Sequence, residues 1–318
     1  ATAALRKRPI AARAGCAGCT AAPVASKANG APVVALAGNP NAGKSTIFNT
    51  LTGGRQHVGN WPGKTVDVAS GVVRWNGSVV TLVDLPGTYS LSAHSLEEVI
   101  ARDFILEERP DAAIVVADAT NLERNLYLAA QVMELGVPVA LALNMMDRAE
   151  AEGIVIDVDL LSRLLGVPVM ATVGTRRQGL IELVGLALTE AAPRPNLIDY
   201  GIELEQEIAA LQGQVASWNP HAPRYATLKL LEGDKLALDA LGSGPAADAL
   251  REQARAAAAR VQAVYGDDVE LLVADRRYGF VHGLAHQVVK RRGGQRRSLT
   301  DRIDDIAAHR LLGLPIFF

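Results

Sequence analysis

The sequence predicts an α/β domain, a mixed sheet flanked by helices, followed by an all-helical domain. Three observations carry this. Short apolar runs alternate with helical stretches from about residue 33 to 192. An Asn76-Gly77 pair joins two β-type runs, and after Ala191-Ala192-Pro193-Arg194-Pro195 such runs nearly vanish. Alternation of the two patterns signals a parallel sheet. Asn-Gly between apolar runs is a two-residue hairpin turn, and closely spaced prolines make a linker or sharp exit.

The expected strands are 33–37, 79–83, 112–117, 137–143 and 167–172. Each is short and β-branched or aliphatic, as befits strands buried on both faces. The hairpin, 66–75 into 78–83, adds one antiparallel strand, expected at the sheet edge. Beyond the proline exit, 202–214, 223–241, 246–265, 269–289 and 298–312 read as helices, and the alanine run 254–259 suits tight helix packing. Residues 1–31 are Ala/Gly/Pro-rich without periodicity and read as a disordered extension. The expected units are therefore 1–31, an α/β domain at 32–192, a helical domain at 193–310, and an apolar end at 311–318 that looks cut.

Composition narrows the function classes. At 318 residues, 49% hydrophobic and 21% charged, the chain is that of a globular protein. A net charge of −2 gives no global attraction to nucleic acid or anionic lipid. The two cysteines, Cys16 and Cys19, exclude a disulfide framework and suit a reducing compartment. Their spacing would fit half a zinc site or a redox pair, but no second pair exists, so a bland extension is expected. No run reaches the roughly 18–20 apolar residues of a membrane span, and no apolar core follows Arg6-Lys7-Arg8 as a signal peptide would require.

The chemistry lies in four short strings. Gly38-Asn39-Pro40-Asn41-Ala42-Gly43-Lys44-Ser45, followed by Thr46, fits G-x-x-x-x-G-K-S/T between a strand and a helix. Its glycines let backbone N–H groups wrap phosphate; Lys44 would meet the β- and γ-phosphates and Ser45 would ligate Mg²⁺. Asp84-Leu85-Pro86-Gly87 ends the hairpin. Asp84 would hold Mg²⁺ through water, and the Gly87 N–H could approach a γ-phosphate because no Cβ intervenes. Asn144-Met145-Met146-Asp147 follows a buried strand. Asp147 could accept two N–H groups from a guanine edge, which adenine lacks, while Asn144 would tie this loop to the phosphate loop. Met145 would cover the base. A last base loop is expected at Val173-Gly174-Thr175-Arg176, where Gly174 forgoes a side-chain brace.

Between the phosphate loop and the hairpin lies 55–66, containing Gly63, Lys64 and Thr65. A loop here needs a threonine that reaches Mg²⁺ and γ-phosphate when GTP is bound, and Thr65 is the candidate; its release would be an order–disorder switch. Trp61 reads equally as part of that switch or as a lid on the surface. A phosphate-loop strand, a hairpin and three further strand–helix units are the order of the P-loop small GTPases (Ras-like).

Taken together, the strings GNPNAGKST, GNWPGKT, DLPGTYSL and NMMD resemble the ferrous-iron transport protein B family. The likeness continues through RYATLKLLEGD, VADRRYGF and TDRIDDIAAHRLLGLPIF, and covers about residue 33 to the end. It implies a GTPase domain and a helical spacer of nucleotide-dissociation-inhibitor type, fused to a polytopic iron permease in the bacterial inner membrane. The present chain would be the soluble cytoplasmic part, regulating Fe²⁺ uptake. The resemblance further implies K⁺ held near the phosphates by Asn41, a small FeoA-type partner and homo-oligomerisation.

Thr88 stands where many GTPases carry a water-orienting Gln, so slow, potassium-stimulated hydrolysis is expected, with Lys44, Thr65, Gly87 and Asn41 as its agents. Lys290-Arg291-Arg292 and Arg296-Arg297 fit either a membrane-flanking basic cluster or a solvated loop. The main rival is a soluble RNA- or ribosome-associated GTPase. It predicts a basic recognition face, whereas 198–270 mixes both charges among alanines without an RNA-binding signature. A third reading makes the helices an interaction module on a domain that only holds nucleotide; an ATPase would waste Asp147. His57, His94 and His282 form no recognisable metal spacing.

Overall fold

A computed structural model describes residues 30–54, 56–60, 67–92, 95–194 and 197–291. Cys16, Cys19, Trp61, Gly63, Lys64, Thr65, His94, Arg292, Arg296, Arg297, the expected helix 298–312 and the apolar end 311–318 lie outside them.

The first half runs β1 (Val33–Gly38), α1 (Lys44–Thr52), β2 (Gln56–Asn60), β3 (Asp67–Trp75), β4 (Ser78–Asp84) and α2 (Leu96–Asp103). A π-helical turn Phe104–Glu108, β5 (Ala112–Asp118), α3 (Leu122–Glu134), β6 (Val139–Asn144) and α4 (Met146–Ala151) follow. Then come β7 (Ile154–Ile156), α5 (Val158–Leu165), β8 (Val169–Ala171) and α6 (Leu180–Thr189). The main sheet has seven strands in the order β2-β3-β4-β1-β5-β6-β8. The second half holds α7 (Ile202–Trp218), α8 (Pro223–Leu231), α9 (Lys235–Ala240), α10 (Pro245–Tyr265), α11 (Val269–Val288) and β9 (Val289–Arg291). Among the described residues no helix is long and apolar enough to cross a membrane.

The hairpin turns at Asn76 and Gly77, both at positive φ, and pairs Trp75 with Ser78. Its first strand is not the sheet edge. β2 pairs antiparallel to β3 from Gln56↔Gly71 to Asn60↔Asp67, so part of the expected loop is strand. Gln-His-Val-Gly-Asn carries a single apolar residue, too little periodicity to reveal a strand that backbone pairing alone creates.

Alternation along β1 sends Val33, Ala35 and Ala37 into one core and Val34 and Leu36 into the other. The second core is closed by Ile47 and Phe48 of α1 and by α6. The first is covered by α2 and α3 and runs on without a break into Leu204, Ile208, Leu228, Val273 and Val281 of the helical unit. Each such buried aliphatic contributes about 1.5–3 kcal/mol over exposure, so one continuous core joins the two halves.

Charge is buried at that seam. Arg277 of α11 is 4% exposed and donates from Nε to Glu134 Oε2 on α3 at 2.9 Å. Tyr200 O–H donates to the other Glu134 oxygen, and Arg277 also lies 3.7 Å from Glu232, which pairs with Lys229. Tyr127 of α3 stacks on Tyr278 of α11 at 4.5 Å.

Two details of the helical unit differ from the expected pattern. The single helix 223–241 breaks at Gly233, whose φ of +74° suits glycine. Asp234 then caps α9 by accepting from the Ala237 N–H at 2.9 Å. The chain also leaves α11 as strand, with β9 pairing antiparallel to β7 from Ile154↔Arg291 to Ile156↔Val289. The helical unit is thus stitched back onto the α/β domain by three residues.

Candidate functional site

The phosphate loop is shaped by close backbone approaches. A Cβ on Gly38 would stand 2.8 Å from the Val116 carbonyl oxygen of β5, so only glycine lets the strand end there. Asn41 and Gly43 have φ of +67° and +90°, and the Ala42 N–H closes the turn on the Asn39 carbonyl at 3.2 Å. The chain then enters α1 at Lys44, leaving the helix N-terminus as an anion site.

A cleft of about 580 Å³ opens over this terminus, lined by Pro40, Asn41, Lys44, Ser45 and Thr46, with Gly87 and Met145 across from them. Lys44 is 8% exposed, and its ammonium is ion-paired with Asp84 at the end of β4. Ser45 Oγ donates to the second Asp84 oxygen at 3.4 Å. Burial pushes the Asp84 carboxyl above its ordinary value, opposed by the charge and hydrogen bond of Lys44 and by Ser45. The Asp84 carboxylate and Ser45 hydroxyl are a hard oxygen set that fits Mg²⁺. Asn39 and Asn41 both line the cleft, and Asn39 Oδ1 is buried without a hydrogen-bond partner. An orphaned acceptor of that kind fits a ligand donor or a cation.

The string after Asp84 crosses over the phosphate loop. The Leu85 N–H donates to the Leu36 carbonyl at 3.0 Å and the Thr88 N–H to the Gly38 carbonyl at 3.3 Å. Leu85 itself is fully buried in the core. Pro86 stands between that anchor and Gly87, where a Cβ would come to 3.4 Å of Pro40 across the cleft. Past the crossing, Leu91 N–H donates to Gln131 of α3 at 2.8 Å and Arg124 stacks over Tyr89 at 4.1 Å.

Two later loops converge on the phosphate loop through one side chain. Asn144, 3% exposed at the end of β6, donates from Nδ2 to the Ala42 carbonyl at 3.0 Å. Its Oδ1 accepts from the Gly174 N–H at 3.0 Å and from Thr172 Oγ1 at 3.3 Å. One amide therefore fastens the phosphate loop to both later loops. A Cβ on Gly43 would lie 2.3 Å from Asn144 Nδ2, which explains glycine there beyond its positive φ. Met145 follows at φ +62° and starts α4. Asp147, in the first turn of α4, accepts from the Arg148 N–H at 3.0 Å and lies 3.7 Å from Arg176. It is not among the residues that line the cleft over the phosphate loop.

The loop 173–176 is a 3₁₀ turn Gly174–Arg176 that includes Thr175. A Cβ on Gly174 would press to 3.2 Å of Ile47, so the space is taken by core rather than by a brace. Bracing comes instead from Thr172 and from Thr50 of α1, whose hydroxyl donates to the Gly174 carbonyl at 3.3 Å. Sequence reading missed both threonines. Thr172 carried a faint signal, a polar residue ending an apolar strand; Thr50 carried none.

This strand–loop–helix, with a carboxylate behind its lysine and an asparagine bridge to two later loops, defines a P-loop GTPase fold joined to a helical unit. Residues 32–186 match the family Ferrous iron transport protein B, and residues 200–290 match the FeoB cytosolic helical domain. The chain is 42% identical over 291 residues to the Fe(2+) transporter FeoB of Escherichia coli K12, covering 89% of this chain and 37% of that protein. It is 41% identical over 303 residues to the Fe(2+) transport protein A/Fe(2+) transporter FeoB fusion protein of Porphyromonas gingivalis, covering 89% and 35%. A GDP-bound variant of S. thermophilus NFeoB superposes with TM-score 0.74 at 37% identity, over 81% of this chain and all of that one. S. thermophilus NFeoB bound to GDP, AlF4⁻ and K⁺ gives 0.70 at 38%, over 80% and 99%. The chain belongs to the ferrous iron transport protein B family and spans about a third of the length of these curated relatives.

Proposed function

We propose that this chain binds guanine nucleotide with Mg²⁺, hydrolyses GTP slowly, and serves as the nucleotide-dependent switch of a Fe²⁺ transporter. The observation that carries this reading is the Asn144 bridge, which fixes a phosphate cradle and a base loop in one pocket. In that pocket Lys44 leaves Asp84 for the β- and γ-phosphates, and Ser45 and Asp84 position Mg²⁺. Backbone N–H groups of the loop 38–46, those of Pro40 (which has none) and Ala42 aside, and of Gly87 hold phosphate oxygens. Asp147 selects guanine, with Met145, Gly174, Thr175 and Arg176 around the base. Thr65, with Gly63 and Lys64 beside it, completes the GTP state from outside the described residues.

Mg²⁺ supplies charge neutralisation at the phosphates, where charge develops during phosphoryl transfer. Asn41 and its neighbours would hold K⁺ close by, in the role a second cationic group fills elsewhere. The AlF4⁻ and K⁺ complex of S. thermophilus NFeoB supports this reading. Coupling to transport would run through the crossing string 85–92 and α2 to the helical unit, where Arg102 lies 3.9 Å from Asp234. A permease part of the full-length protein, a FeoA-type protein and a second copy are the partners this reading assigns, at the cytoplasmic face of the inner membrane. The fused arrangement in P. gingivalis favours the FeoA-type partner. The RNA-associated alternative is not favoured, since the helical unit matches the FeoB cytosolic helical domain.

The test is fluorescent GDP and GTP titration with Mg²⁺, alongside phosphate release in K⁺ and in Na⁺. Micromolar or tighter guanine binding that excess ATP does not displace, with turnover higher in K⁺, is expected. Failure to retain either guanine nucleotide would overturn the assignment, and equal rates in both salts would remove K⁺ from it.

A further inference from the structure

Away from the nucleotide cleft, a second cleft of about 460 Å³ lies where the turn Ala119–Asn121 and the start of α3 meet α11 and β9. His282 and His286 both line it. Their spacing of four residues places them on one helix face, with ring centroids 6.3 Å apart. Metal–nitrogen bonds of about 2.0–2.1 Å hold two imidazoles on one ion with centroids roughly 5–6 Å apart. The two side chains are exposed, so the small rotation needed meets little packing.

A third group acts from the other half of the molecule. Glu123 of α3 places Oε1 3.1 Å from His282 Nδ1. A carboxylate accepting from Nδ1–H fixes the tautomer that leaves the Nε2 lone pair free, the usual outer partner of a metal-bound histidine. Imidazole pairs select borderline transition ions over Mg²⁺ or Ca²⁺.

We propose that His282 and His286 form a two-imidazole site for a divalent transition-metal ion, with Glu123 orienting His282 across the seam between the two units. No three His, Cys, Asp or Glu side chains among the described residues converge on one ion position. Water therefore completes the shell, and the site is open and exchangeable. Because Glu123 and the two histidines belong to different units, an ion here links α3 to α11 at the opposite end of α3 from the buried Glu134–Arg277 pair.

The experiment titrates Co²⁺ into the chain carrying Cys16→Ser and Cys19→Ser, loaded with GDP, freed of unbound nucleotide and held in excess Mg²⁺, so that neither thiolate nor free diphosphate competes. Calorimetry and visible absorption should report one Co²⁺ per chain with nitrogen and oxygen ligation. His282→Ala and His286→Ala should each weaken it at least tenfold, and Glu123→Gln by about tenfold, with GDP affinity unchanged within twofold. Circular dichroism confirms that these exposed substitutions leave the fold intact. Absence of stoichiometric Co²⁺ binding, or binding that survives His286→Ala and His282→Ala, would overturn the proposal.

Discussion

Replacing Asn144 by alanine removes two 3.0 Å hydrogen bonds at once, from Nδ2 to the Ala42 carbonyl and from the Gly174 N–H to Oδ1. Both partners lie in a region where Asn144 itself is 3% exposed, so water does not readily replace the amide. A buried polar group left unpaired costs about 1–3 kcal/mol. Two of them put the loss near 3 kcal/mol, discounted for relaxation of the loops. With roughly 1.4 kcal/mol per tenfold, that is about a hundredfold in Kd if the pocket is assembled only when nucleotide binds. Part of the loss will appear instead as a lower melting temperature of the free protein. Fluorescent GDP titration and thermal melting should be run together with Thr172→Val, which removes the 3.3 Å bond to Asn144 Oδ1 and the 3.4 Å contact of the same hydroxyl with the Leu143 carbonyl, and leaves both amide bonds of Asn144 in place. That variant should stay within a few-fold of the parent. A Kd for Asn144→Ala within threefold of the parent, with unchanged melting, would refute the claim that this bridge holds the pocket together.

Gly43→Ala forces a Cβ to 2.3 Å of Asn144 Nδ2 at φ +90° and should weaken GDP binding comparably; combined with Asn144→Ala the effects should be far from additive, as measured by a double-mutant cycle. Arg277→Met leaves Glu134 buried without its cation and Glu232 with Lys229 alone, a loss of about 3–5 kcal/mol that calorimetry should register as a large drop in melting temperature, partly recovered by adding Glu134→Gln. Burial works to raise the Glu205 carboxyl, but hydrogen bonds from Arg224 and the Tyr200 N–H outweigh it and hold it below 4.5. Its stabilisation is therefore complete above pH 4.5 and is lost as pH falls through the lower folded value. The melting-temperature gap between parent and Glu205→Gln should be constant above that point and close below it, and a gap that stays flat into strong acid would contradict this. Asp147→Asn should lower guanine affinity and admit xanthine nucleotide, whose carbonyl replaces the amino group that the carboxylate accepts from; competition titration reads both.

The phosphate loop, the hairpin and the placement of Asp84 and Asn144 were legible because each depends on local chain geometry. A G-x-x-x-x-G-K-S string after an apolar strand can bend one way only, and Asn-Gly dictates its turn wherever it stands. The helical unit was legible as helices but not in its interruption, since Gly233 inside an otherwise periodic run is as often tolerated as not. Strand β2 was not legible, because one valine among Gln, His, Gly and Asn gives no alternation and only the neighbouring β3 supplies its hydrogen bonds.

What the sequence determined unaided is therefore the part written in nearest neighbours: strand period, turn chemistry, and the residue types that meet phosphate and base. What the tertiary structure decided is which distant atoms close on one another. Asn144 finds Ala42 across 102 residues and Gly174 across 30, and Arg277 finds Glu134 across 143. Thr50, β9 and the pairing of His282 with Glu123 belong to the same class. Such contacts are set by how two halves share one apolar core, and burial of that core carries no marker in the local spacing of the polar residues it brings together.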